Sequence, residues 1–149
     1  MKVNKNPIRL QRIVIAALLA ELIPLLILVA VVTIYGFMAS PGLEKGVYNE
    51  FASRAGKIIN PLAGSLATFG MAYWAARKPE KAKVLHGVFT GLVVIFIELA
   101  ILATPTSEFG LGDGLGIAGK LIAGALGGFA AQQLSRKSEL SGETGDRIL

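Results

Sequence analysis

Residues 13–38 read IVIAALLAELIPLLILVAVVTIYGFM, a run of 26 residues with a single charge, Glu21. A helix rises about 1.5 Å per residue, so about 20 apolar residues cross a hydrocarbon core roughly 30 Å thick. This stretch is long enough to cross with tilt or overhang. Three further apolar stretches follow, at about 58–76, 84–104 and 115–134. Strand-type alternation is absent. The expected fold is all-α: an integral membrane four-helix bundle, one transmembrane domain over 1–149, with a polar tail at 135–149.

Composition points the same way. Hydrophobic residues make up 53% of the chain and charged residues 17%, where soluble domains average about 25% charged. A disordered chain is excluded and a soluble enzyme disfavoured. The absence of cysteine removes disulfides, thiolate nucleophiles and cysteine-based metal sites. The single histidine, His86, cannot build a multi-histidine site, so no metal and no cofactor is expected. The net charge of +5 would suit nucleic acid in a soluble domain. Here the basic residues flank apolar runs, so the bilayer, not nucleic acid, is the expected partner.

Lysine and arginine set the orientation. Lys2, Lys5, Arg9 and Arg12 precede the first stretch, and Arg77, Lys78, Lys81 and Lys83 sit between the second and third. Arg136, Lys137 and Arg147 follow the fourth. Lys45, Arg54 and Lys57 are spread along the first connection, and the third has none. With both termini cytoplasmic, eleven positive residues lie inside and three outside, as the positive-inside rule favours. Tyr73 and Trp74 fit an interfacial belt on the cytoplasmic side. The basic start also suits a signal peptide, but a signal core spans only about 7–15 residues, so the first stretch is read as retained.

The connections differ in character. Residues 39–57 suit either a short interfacial helix, with Leu43, Val47 and Phe51 on one side, or a plain loop. Asn60 and Pro61 are read as opening the second span, since proline is at home in a first helical turn. Residues 105–116, PTSEFGLGDGLG, are read as a glycine-rich loop without calcium-loop spacing, and the tail as fraying.

Small residues mark packing faces. Gly119, Ala123, Gly127 and Ala131 recur every four residues in the last stretch, Gly124 and Gly128 form a second strip, and Gly87 and Gly91 form a third. Such strips let helices approach closely in lipid. They serve either packing inside one bundle or, along the fourth span, a homo-oligomer interface.

Three ionisable groups lie within the apolar runs: Glu21, Glu98 and Lys120. Charges there are costly and mark candidate sites. Glu98 falls within about 20° of both Gly87 and Gly91 on a helical wheel, and Lys120 shares a strip with Gly124 and Gly128. Helical rise sets Glu98 and Lys120 at nearly equal depth near the outer edge, so they form a candidate intramembrane ion pair. The alternative is that Lys120 snorkels to the headgroups. The same count sets Glu21 nearer the cytoplasmic side, beside Pro24, where its carboxyl could bind a proton or cation or bond to a nearby hydroxyl. Glu21 and Glu98 are the candidate ion or proton sites. His86, at the boundary of the third stretch, suits either a pH-sensing role or a solvated interfacial imidazole.

The segments GMAYWAARK (70–78), LHGVFTGL (85–92) and GALGGFAA (124–131) occur in this order. Over residues 56–134 the chain thereby resembles a loose group of uncharacterised small bacterial four-span membrane proteins. The resemblance implies the fold and a membrane location but no activity. ALLAELIP (17–24) is similar to the first helix of small multidrug resistance transporters, which implies a proton-exchanging role for Glu21. Glu98 and Lys120 depart from that pattern.

The expected function is a structural, regulatory or assembly role of a small multi-pass protein of the cell membrane. No enzyme is expected, since no catalytic triad, metal cluster or phosphate loop is visible. A homo-oligomer or another membrane protein is the conceivable protein partner. The alternative is a small proton- or cation-coupled transporter or channel using Glu21 and Glu98.

Overall fold

The computed structural model describes residues 9–39, 42, 44–79, 82–103 and 111–145. It is all-α. Helix α1 spans Leu10–Ile34 and continues as one π-helical turn over Tyr35–Ala39. Then come α2 (Lys45–Arg77), α3 (Lys83–Leu102) and α4 (Leu111–Gly145). Three stretches are long and apolar enough to cross a membrane: Leu10–Met38, Lys83–Ile101 and Gly112–Lys137.

The second apolar stretch departs from expectation. Residues 58–76 are the distal half of a 33-residue helix that begins at Lys45. Residues 45–57 therefore form neither a separate interfacial helix nor a loop, and Asn60 and Pro61 lie inside α2 instead of opening it. Helix α2 is not among the stretches apolar enough to count as a span; Gly64 and Thr68 are buried on its inward side, with Asn60 and Ser65 half-buried beside them. Ile58, Leu62, Leu66 and Phe69 face outward, spaced at helical period along one stripe.

The ends of α4 also correct the sequence reading. Residues 111–116 are its first turns, so the glycine-rich segment is helical there, with Asp113 in the first turn. Residues 104–110, including Glu108, lie outside the described residues. The helix runs on to Gly145 through most of the segment expected to fray.

Packing makes a square of two hairpins. Helix α4 packs most extensively on α2, while α1 packs on α2 and α3 on α4. Contacts along the helices run in opposite order between α3 and α4 and in the same order between α2 and α4. Helices α1 and α4 stand on the wide diagonal. The interior is small and polar. Ala16, Ala17, Ala20, Ala72, Ala75 and Ala76 are buried, and the largest fully buried side chains include Lys120, His86, Thr68 and Thr90. Large apolar side chains such as Leu18, Leu25, Leu66 and Phe96 point outward. A soluble core has the reverse arrangement.

Glycine makes the close approaches possible. A Cβ on Gly87 would collide with the backbone of Gly124 and Gly128. A Cβ on Gly124 would lie 2.8 Å from the Gly87 carbonyl oxygen, and one on Gly127 would lie 2.5 Å from that of Phe69. Gly119 faces Ser65, Gly128 faces Lys83 and Val84, and Gly91 faces the backbone of Lys120 and Gly124. The small strips of α4 are thus occupied within the chain by α2 and α3 and are not left as a free face for a second copy. Gly87→Ala is expected to lower stability in mild detergent by about 1–3 kcal/mol through overpacking. Gly70→Ala, where a Cβ meets nothing within 4 Å, should stabilise by about 0.5–1 kcal/mol. Thermal melting of the two variants beside wild type checks both.

Candidate functional site

The inward face of α3 repeats every four residues: His86, Thr90, Val94 and Glu98 are all buried. On α2 the same period aligns Asn60, Gly64 and Thr68, and on α4 it aligns Lys120 with Gly124 and Gly128. On α1, Ile13, Ala17, Ala20 and Pro24 are buried, with Glu21 on the flank of that face. Packing these faces together sets one polar side chain from each helix at a common level.

Lys120 is the centre of that cluster. Its ammonium donates to Glu21 Oε1 at 2.8 Å and lies 3.1 Å from Glu98 Oε1. Asn60 Nδ2 donates to the same Glu98 oxygen at 3.1 Å. Lys120 is fully buried, the Glu98 side chain is 7% exposed, and that of Glu21 is 17% exposed. Gly64 makes room for the lysine, since a Cβ there would stand 2.7 Å from Lys120 Cε. The structure therefore brings Glu98 and Lys120 together inside the bundle instead of letting Lys120 snorkel outward. It also draws in Glu21, which counting along the chain had set at a different depth. The first apolar stretch is longer than a bilayer requires, so its length leaves the register open, and packing against α2 and α3 decides it. Asn60 and Gly64 were not read as site residues. Their four-residue spacing with Thr68, a small and polar stripe in an apolar helix, is the signal that points to them.

A second polar level lies toward the chain termini. His86 is fully buried, which overturns the solvated interfacial reading. Its Nε2 accepts from the backbone N–H of Arg9 at 3.1 Å, and Nδ1 lies 2.9 Å from the Ala82 carbonyl oxygen. These partners assign a neutral ring with the proton on Nδ1. The start of α1 is thereby tied to α3. Nearby, Arg12 donates to the Trp74 carbonyl at 3.0 Å and lies 4.4 Å from the Trp74 ring centroid. Lys83 donates to Ser135, which in turn donates to the Ala131 carbonyl. Arg77 sits over Tyr73.

Between the two levels the packing is mainly apolar. Ala17, Ala20 and Val94 pack together, flanked by Met71, Val93 and Ile97. Thr68 and Thr90 turn their hydroxyls back onto the carbonyls of Gly64 and His86. Among the described residues no three His, Asp or Glu side chains form a metal-holding group. Comparison with family models, with curated proteins and with solved structures finds no match.

Removing one partner of a buried ion cluster costs far more than removing all of it, because an uncompensated charge is left behind. Lys120→Met is expected to destabilise the protein by about 3–5 kcal/mol in detergent. Adding Glu21→Gln and Glu98→Gln to that variant should restore most of the loss. Equal stability of Lys120→Met and wild type would show that the cluster does not hold the bundle.

Proposed function

We propose that the chain is an integral protein of the cell membrane that crosses the bilayer four times, with both termini cytoplasmic, and that its role is structural, regulatory or in assembly. The observation that carries this reading is the cluster at Lys120. The position between two carboxylates that a transported cation would fill is taken by the chain's own ammonium, which ties α1, α3 and α4 together. Such a centre suits a stable scaffold more than an open transport site.

Insertion is supported by three helices of sufficient length and apolarity and by an interior filled with small and polar groups. For α2, the outward stripe of Ile58, Leu62, Leu66 and Phe69 offers lipid an apolar surface, while Asn60 and Thr68 find partners inside. In hydrocarbon a polar group needs such an internal partner. The orientation is supported by the basic residues around the His86 level: Arg9, Arg12, Arg77, Lys78, Lys83, Arg136 and Lys137. The protein's partners are then the bilayer and another membrane protein or a second copy, meeting faces other than the occupied strips of α4.

Because the chain has no cysteine, single cysteines report topology without background. A membrane-impermeant thiol reagent should reach Lys78→Cys and Lys137→Cys from the cytoplasmic side, and Gly46→Cys and Gly112→Cys from the other. Labelling of all four from one side would overturn the four-span arrangement. Purified protein in liposomes should leave imposed proton and cation gradients intact. Discharge that Glu21→Gln abolishes would replace the scaffold reading with that of a transporter.

A further inference from the structure

The end of the α1–α2 pair nearest the chain termini gathers cations without anions. Arg77 and Lys78 follow Trp74 at three and four residues, so all three share one exposed side of α2. Arg12 reaches onto that side from α1. Its Nη2 donates to the Trp74 carbonyl at 3.0 Å, and its guanidinium lies 4.4 Å from the Trp74 ring centroid. The Nε–H of Arg12 is buried and meets no acceptor. Among the described residues none of these three cations meets a carboxylate; the ion pairs found are Arg54 with Glu50, and Lys120 with Glu21 and Glu98, all at other levels. The negative C-terminal end of α2 offsets about half a charge, which leaves more than two of the three positive charges unanswered.

Further along, the same side of α2 turns apolar and open. Gly70 stands one turn before Trp74 and is exposed, and a Cβ there would meet nothing within 4 Å. Leu66, one turn further, is exposed too. Trp74 itself is partly exposed, an indole set where cations give way to an apolar surface, as interfacial aromatics are. Along the helix the order is charge, indole, notch and leucine. A phospholipid has the matching order of phosphate, glycerol and acyl chain.

We propose that this groove between α1 and α2 binds an anionic phospholipid. Its phosphate is received by Arg12, Arg77 and Lys78, and an acyl chain passes Trp74 over Gly70 toward Leu66. A guanidinium presents Nε–H and a terminal N–H along one edge, a fork that matches two phosphate oxygens. Trp74 already holds the Arg12 guanidinium by its ring and its carbonyl, so little side-chain freedom is lost when the lipid arrives. A zwitterionic headgroup brings its own ammonium into an excess of positive charge, whereas a headgroup of net negative charge balances that excess. The inference rests on the membrane embedding proposed above.

Trp74 is the only tryptophan of the chain, so its fluorescence reports this groove alone. The full chain is placed in bilayers of mixed phosphatidylcholine and phosphatidylglycerol, with quenching brominated acyl chains on one lipid class at a time. At equal mole fraction, brominated phosphatidylglycerol should quench Trp74 more strongly. The local preference should reach about fivefold, the worth of one well-placed cation beside an anionic headgroup. Arg77→Gln with Lys78→Gln leaves Arg12 on Trp74 and should bring the two lipids close to parity. Arg12→Gln should act in the same direction; should it fail to fold, the double variant carries the test. Arg136→Gln with Lys137→Gln removes the same charge from α4 and should leave the preference unchanged. Equal quenching by the two lipids in wild type would overturn the proposal while the membrane reading stands. Quenching by neither would overturn both, since Trp74 would then lie outside the bilayer. A preference lost equally in the α4 variant would make it a property of overall charge and not of the groove. One abolished by millimolar inorganic phosphate would make the site one for a free anion, and either result would overturn the lipid.

Discussion

The rest of the structure depends on a fully buried lysine ammonium held between two carboxylates. Transferring a charged group out of water costs several kcal/mol even after relaxation, and mutual attraction repays that only with good geometry. Each helix answers part of that demand. Helix α4 brings Lys120, and α1 and α3 bring the acids. Helix α2 brings Asn60 and, at Gly64, the absence of a side chain that lets the lysine lie flat against it. The Glu21–Lys120 contact also spans the wide diagonal of the bundle, where α1 and α4 share little backbone contact. A long, flexible side chain reaches where backbones do not.

Glycine serves this electrostatic arrangement as well as the packing. Backbone contact between α3 and α4 at Gly87, Gly91, Gly124 and Gly128 fixes how the two helices slide past one another. That in turn fixes the level at which Glu98 meets Lys120. The apolar layer of Ala17, Ala20 and Val94 then separates this level from the one built on His86, so the bundle is tied by polar contacts at two heights.

How much of this was legible in the sequence varied from helix to helix. Helices α1 and α3 were plain because long apolar runs have one physical meaning. The pairing of Glu98 with Lys120 could be read because both sat a known distance from a short connection and shared phase with small residues. Glu21 was misplaced in depth, since a run of 26 apolar residues fixes that a helix crosses but not its register. Helix α2 was cut short because Asn60 and Pro61 resemble a helix start when neighbouring helices are unknown. In the structure Asn60 is satisfied by Glu98, 38 residues away. The burial of His86 was not legible, because its partners are backbone groups, at Arg9 and Ala82, which leave no mark in a sequence pattern.

The 99 residues that separate Glu21 from Lys120 also bear on biogenesis. In the membrane arrangement proposed above, α1 is made long before its counter-charge, and α3 follows with a second carboxyl, so both acids precede the lysine of α4. A nascent chain that stops short of Lys120 is therefore left with two uncompensated carboxyls facing a half-built interior. Closure of the cluster therefore waits on the synthesis of α4, whatever the order in which the other three helices meet.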